Sequence, residues 1–149
     1  MNNIIFKKVW QDADIINIKI SAVSKFATAY QTCYIQVPAL IDAGEKLAKY
    51  TNTDDLNLYI EFGHKDGKYT PAFSMNISKV DALGHLNIEV DIEIADNNER
   101  NHRCWYFVTA ELGALGILGE QLKNIATADV GEECSLYERN NESVLVEKF

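Results

Sequence analysis

Five apolar residues, Leu86, Ile88, Val90, Ile92 and Ile94, alternate without a break with Asn87, Glu89, Asp91 and Glu93. A two-residue period sends successive side chains to opposite sides of an extended chain, so this segment predicts a β-strand with one apolar and one polar face. The apolar face must be buried against something. A polar stretch at residues 96–100 and a second strand-like run at residues 102–109 follow. With no apolar helix between the two runs to carry a parallel crossover, they form an antiparallel hairpin.

The same period recurs upstream. Ile16, Ile18 and Ile20 alternate with polar residues, and residues 28–37 place Ala29, Cys33, Ile35 and Val37 on one face. Thr28, Tyr30, Thr32 and Tyr34 take the other face of that run, and partial cover is expected on both. Leu56, Leu58, Ile60 and Phe62 form one alternating set and Phe73, Met75 and Ile77 another. The Asp66-Gly67 pair between them marks a hairpin.

Two segments follow a helical period instead. In residues 38–50, Leu40, Ile41, Gly44, Leu47 and Ala48 recur at helical spacing, with Pro38 in the first turn and Thr51 to Thr53 as the stop. In residues 110–125, Leu112, Leu115, Leu118, Leu122 and Ile125 form an apolar stripe, with Thr109 as the expected N-cap and Glu111 near the positive end of the helix dipole. Gly113, Gly116 and Gly119 each weaken that helix by roughly 1 kcal/mol relative to alanine. A flat glycine surface lying on the sheet is the expected compensation, because the spacing matches neither a dinucleotide nor a P-loop motif. In the polar tail, residues 134–137 and 143–146 are expected to pair as a last hairpin about Asn140-Asn141.

The order of elements predicts an α+β fold: an antiparallel β-sheet, curved or split in two, with two packed α-helices. At 149 residues and 47% hydrophobic composition the chain has the size and apolar content of one domain spanning residues 1–149. The repetition of strands followed by a helix resembles the Whirly arrangement in topology. The basic single-strand-binding motif of that family is missing, so the likeness implies no activity.

Charge narrows the function classes. With 14 Lys+Arg against 22 Asp+Glu the formal net charge is -8, which disfavours a general nucleic-acid binder and suits a basic partner. The acidity lies downstream of Val37, since the preceding segment is slightly basic. The apolar run near Met1 is far shorter than a signal-peptide core, and no stretch reaches membrane-spanning length, so a cytoplasmic protein is expected. Cys33, Cys104 and Cys134 are odd in number and scattered, which indicates buried thiols rather than a disulfide framework. His64, His85 and His102 lie at separate strand ends without metal-ligand spacing, so neither metal nor cofactor is expected.

The candidate site is the polar face of the first strand described. Glu89, Asp91 and Glu93 form a column, and in hairpin register Arg103, Trp105 and Phe107 of the next strand lie beside it. Aromatic anchors ringed by charge are the composition of a protein-binding hot spot. The competing reading is a solvated strand face with Trp105 and Phe107 under a helix, and only the register decides between them. No catalytic residue is assigned. No GxSxG elbow is present, and the nearest nucleophile and base, Cys104 and His102, share a strand face and nothing more.

Three local patterns, Gly84-His85-Leu86-Asn87-Ile88-Glu89-Val90, Trp105-Tyr106-Phe107-Val108 and Thr109-Ala110-Glu111-Leu112-Gly113-Ala114-Leu115, lie within residues 83–125. Together this stretch resembles small bacterial immunity proteins encoded beside polymorphic or contact-dependent toxins. The resemblance implies neutralisation of a cognate toxin by tight binding, and a nuclease toxin would offer the basic cleft that an acidic face complements. It implies partner-binding roles for Glu89, Asp91, Glu93, Arg103 and Trp105, and no catalytic residue. A small-ligand module or an enzyme with a pocket between sheet and helices is the alternative.

Overall fold

The computed structural model describes residues 2–63, 72–97 and 100–137. Within them the elements run β1 (Asn3–Gln11), β2 (Ile15–Val23), β3 (Thr28–Gln36), α1 (Val37–Tyr50), β4 (Asn57–Phe62), β5 (Ala72–Lys79), β6 (His85–Asn97), β7 (Arg100–Glu111), α2 (Leu112–Ile125) and β8 (Glu133–Ser135). The fold is α+β and the sheet is split. One sheet has the order β3-β2-β1-β8 and the other β4-β5-β6-β7, with every neighbouring pair antiparallel.

The alternation read from the sequence lines the inner faces of both sheets. Ile4, Phe6, Ile16, Ile18, Ile20, Cys33 and Ile35 come from the first, Ile60, Phe73, Met75, Ile77, Ile88, Val90 and Ile92 from the second, and all join one core. Phe6 bridges the sheets, meeting the rings of Phe62 and Phe73 edge-on at 6.3 and 6.2 Å between centroids. Polar groups pin the same approach. The Tyr106 hydroxyl donates to the Ala22 carbonyl at 2.6 Å and accepts the Ala29 N–H at 3.0 Å, while the Gln31 amide donates to the Glu93 carbonyl at 2.6 Å.

The helices differ from the sequence expectation in two respects. Thr109 is a strand residue, because β7 runs on to Glu111, which pairs with His85 of β6; Glu111 is the N-cap residue and no side chain caps it. The glycines of α2 do not lie on the sheet. A Cβ at Gly119 would come within 2.6 Å of the Gly44 carbonyl oxygen and the Ala48 nitrogen, so Gly119 is where α2 crosses α1 at backbone contact. Gly116 faces Thr51 and Gly113 faces open space. Leu115, Leu118 and Leu122 are fully buried, as the apolar stripe predicts.

Residues 3–11 carry no clean alternation and no strand is predicted there, yet β1 is a central strand of its sheet. The reason is Lys8, which occupies an inner-face position. Its side chain is fully buried, and its ammonium donates to the carbonyls of Ala126 at 3.3 Å and Ala128 at 2.7 Å and to Oε1 of Gln11. Ala126 is the C-cap of α2, so the cation sits on the carbonyl end of that helix, where its charge is favoured. Burial pushes the ammonium below the ordinary lysine range, partly opposed by Asp129.

Of the expected last hairpin, only residues 134–137 are described. Cys134 pairs with Phe6 of β1, so this segment extends the first sheet; residues 143–146 lie outside the described residues, as does the Asp66-Gly67 turn. The hairpin flanking that turn is in register, from Asn57 opposite Ser78 to Phe62 opposite Phe73. The run at 28–37 ends as a strand at Gln36, Val37 opening α1, and its Tyr30 and Tyr34 face solvent rather than partial cover. Among the described residues no helix is long and apolar enough to cross a membrane.

Candidate functional site

The hairpin of β6 and β7 sets Glu89 opposite Phe107, Asp91 opposite Trp105 and Glu93 opposite Arg103. Their even-numbered neighbours Ile88, Val90, Ile92 and Val108 fill the core, so all six residues stand on the outer face of the second sheet. Among the described residues no helix covers them: Trp105 is 58% and Phe107 46% exposed. Of the two sequence readings of these aromatics, the one that places them under a helix is excluded.

Contacts on this face run diagonally. The Arg103 guanidinium grips Asp91 in two bonds, Nε to Oδ1 at 2.9 Å and Nη2 to Oδ2 at 2.6 Å, and its Nη1 lies 3.5 Å from Glu93. The Trp105 indole N–H donates to Glu89 Oε1 at 2.7 Å, and the ring meets Phe107 edge-on at 5.4 Å. Each β7 side chain therefore leans two residues along β6, within the reach that long side chains have across a strand pair.

The three carboxylates are not equivalent. Asp91 is only 5% exposed, lying beneath Arg103. A carboxylate removed from water needs a geometrically matched cation, and the two-pronged guanidinium supplies it. The three carboxylates stand in one column, as the alternation predicts, and within it Asp91 is a positioning group that fixes Arg103. Glu93, its side chain only 17% exposed, is partly neutralised by the same guanidinium, so the charge that reaches solvent on this side is that of Glu89.

Pairing also adds residues the sequence analysis did not nominate. Through Asn76 of β5, Tyr59 of β4 stands in the cross-strand row of Glu89 and Phe107; through Ser74, Glu61 stands in the row of Asp91 and Trp105. The Tyr59 hydroxyl donates to Glu61 Oε1 at 2.5 Å. Nothing in the chain order joins Tyr59 to Phe107, and only the register of three strand pairs does.

Comparisons with protein-family models, with curated proteins and with solved structures return no match.

His85 opens β6, and its Nδ1 lies 2.7 Å from Asp81 Oδ2; hydrogen bonding to Asp81 raises the imidazole above its ordinary range and lowers the Asp81 carboxyl. Asp81 also accepts the Leu83 N–H, and Gly84, at φ 91°, completes the turn in a conformation suited to glycine. The pair borders an open groove of about 520 Å³ with Asn87, Glu111 and Tyr137. That groove lies at the strand ends, not between sheet and helices. His102 is exposed on β7 and Cys104 half-buried two residues on, while His64 lies outside the described residues. Burial pushes the thiols of Cys33 and Cys134 up to about 12, leaving them unreactive. Among the described residues no three His, Cys, Asp or Glu side chains converge to hold a metal.

The outer face of the first sheet has the opposite character. Trp10 meets Tyr34 edge-on at 6.1 Å, Lys19 lies over the Tyr30 ring at 4.4 Å, and Lys7 stands exposed nearby. The lysines of the slightly basic N-terminal segment thus lie on the first sheet, where β8 sets Glu133 opposite Lys7.

Proposed function

We propose that this chain is an immunity protein that binds and neutralises a basic toxin domain in the bacterial cytoplasm, using the outer face of the second sheet. The observation that carries this reading is the state of Trp105: largely exposed, yet already held by Glu89 and by the edge of Phe107. An exposed indole fixed in place loses little rotamer freedom on binding, and preorganised aromatics are the usual anchors of tight interfaces. Glu89 and the exposed Glu61, with Glu93 shared with Arg103, give the surroundings of the anchors a net negative charge. That charge steers a basic surface onto them, and the -8 of the whole chain acts in the same direction. A toxin that cuts nucleic acid presents such a surface in its substrate cleft, and a protein seated there excludes the substrate.

Growth rescue tests the proposal. The open reading frame beside this gene in its source genome is expressed in a bacterial host, alone and with this chain. Arrest that the wild-type chain relieves and the E89K/E93K variant does not is the expected result. With the purified pair, association of E89K/E93K should slow at least tenfold at low salt, in the range that electrostatic steering spans (roughly 10–10³-fold). A neighbour whose toxicity the chain leaves unchanged, or equal rescue by the variant, refutes it.

A further inference from the structure

Resting on that reading, we infer that the partner is gripped by strand addition: an extended segment with basic side chains at alternate positions pairs with the open edge of β7. β7 is the last strand of its sheet. In an antiparallel ladder the N–H and C=O of one residue point the same way and successive residues point oppositely. The direction of each set is fixed by its ends. Leu112 donates to the Gly84 carbonyl, on the β6 side, so even-numbered N–H groups face β6. The N–H groups of Thr109 and Glu111 turn the other way and are met by Asn2 Oδ1 at 3.3 Å and the Tyr137 hydroxyl at 3.1 Å. By the same alternation those of Trp105 and Phe107 point outward from the sheet. Among the described residues none offers them an acceptor.

Sheet edges of this kind are ordinarily blunted by proline, lysine, a bulge or a covering loop. Residues 102–110 contain no proline or lysine and their pairing with β6 shows no register shift. The edge is also continuous with the acidic face. A strand laid beside β7 sets its own outer side chains next to Trp105 and Phe107. Glu89 and Glu93 then lie one strand further in, about 9–10 Å away at the usual strand spacing, which a lysine or arginine stem crosses. Charge selects the occupant: a second copy of this chain pairing here would bring a second set of carboxylates and another net charge of -8.

The probe is a synthetic peptide, Thr-Lys-Val-Lys-Val-Lys-Thr, titrated at low salt into the full chain carrying W10F, with Trp105 fluorescence as the readout. The decisive pair is F107P against F107A. Both lose the ring and only the proline loses the outward N–H, a change that an edge strand tolerates. F107P should bind at least tenfold more weakly than F107A, and hydrogen exchange at the Trp105 and Phe107 amides should slow when peptide is bound to the F107-intact chain. If F107P fails to fold, a peptide N-methylated at the residues facing β7 replaces it, again with at least a tenfold loss expected. Equal affinities, unchanged exchange, or no binding at millimolar peptide overturn strand addition. So does a concentration-dependent dimer in sedimentation that F107P abolishes, since the edge would then belong to a second copy. E89K/E93K reads the other layer. Loss of binding there with F107P equal to F107A keeps the acidic face and removes the strand, whereas no loss with F107P weaker than F107A keeps the edge and removes the charge reading.

Discussion

Gly119 and Gly113 lie on one helix, carry the same intrinsic penalty and should respond to the same substitution with opposite signs. Alanine in place of a helical glycine gains up to about 1 kcal/mol from reduced backbone freedom in the unfolded chain. At Gly113 a Cβ meets nothing within 4 Å, so G113A should keep whatever gain the first turn of α2 allows, a few tenths to about 1 kcal/mol. At Gly119 the added carbon would stand 2.6 Å from two backbone atoms of α1 and 2.9 Å from the Leu47 Cβ. Backbone cannot swing aside as a flexible side chain does. Forcing the helices apart costs toward the upper part of the 1–3 kcal/mol typical of overpacking. Less the propensity gain, G119A should destabilise by about 1–2 kcal/mol, roughly 2–8 °C in Tm for a chain of this size. Urea unfolding at constant m-value measures both variants. A G119A protein as stable as wild type would mean that α1 and α2 do not meet at Gly44 and Gly119, and the account of the glycine stripe would fall with it.

Leu118→Ala should cost about 2–5 kcal/mol in urea unfolding, because the side chain is fully buried and its removal leaves a cavity; a change near zero would refute the assigned face. Lys8→Met keeps the buried stem but removes the ammonium from the Ala128 carbonyl and leaves the Ala126 carbonyl only the longer bond from the Gln11 amide at 3.4 Å; it should cost about 1–3 kcal/mol, checked the same way, and no loss would mean that the Ala128 carbonyl finds water instead. His85 should titrate by NMR above its ordinary 6.5 and return toward it in D81N. Its raised value means that its stabilisation is complete below pH 6.5 and fades as pH rises through the folded value, while the lowered Asp81 contributes fully above 3.8 and fades as pH falls through its own folded value. A His85 titration identical in wild type and D81N would refute the pair.

How much of this was written in the chain order follows from the range of each interaction. Periodicity is local, so β2 to β7 and both helices are legible wherever inner-face positions are apolar, and the buried faces of Leu86 to Ile92 and of Leu115 to Leu122 follow directly. β1 was not legible, because a lysine stands at one of its inner positions and its partners, the carbonyls beyond α2, lie more than a hundred residues away. The end of β7 was misplaced for a related reason: Thr109 is a sound cap by residue type, but ladder pairing with Asn87 outweighs a cap. The glycines were legible as a close approach and not as to what approaches, since the crossing with Gly44 joins two helices that the sequence describes only separately.

The candidate site divides along the same line. Alternation alone determined that Glu89, Asp91 and Glu93 share a face, and hairpin chemistry brought Arg103, Trp105 and Phe107 beside them. Tertiary structure decided that Asp91 is buried under Arg103, that among the described residues no helix covers Trp105, that Tyr59 and Glu61 widen the face, and that β7 is the last strand of its sheet. A strand's own period fixes which side a residue faces; whether that side meets water depends on what the rest of the chain lays over it, and that is set by register and packing between segments far apart in the chain.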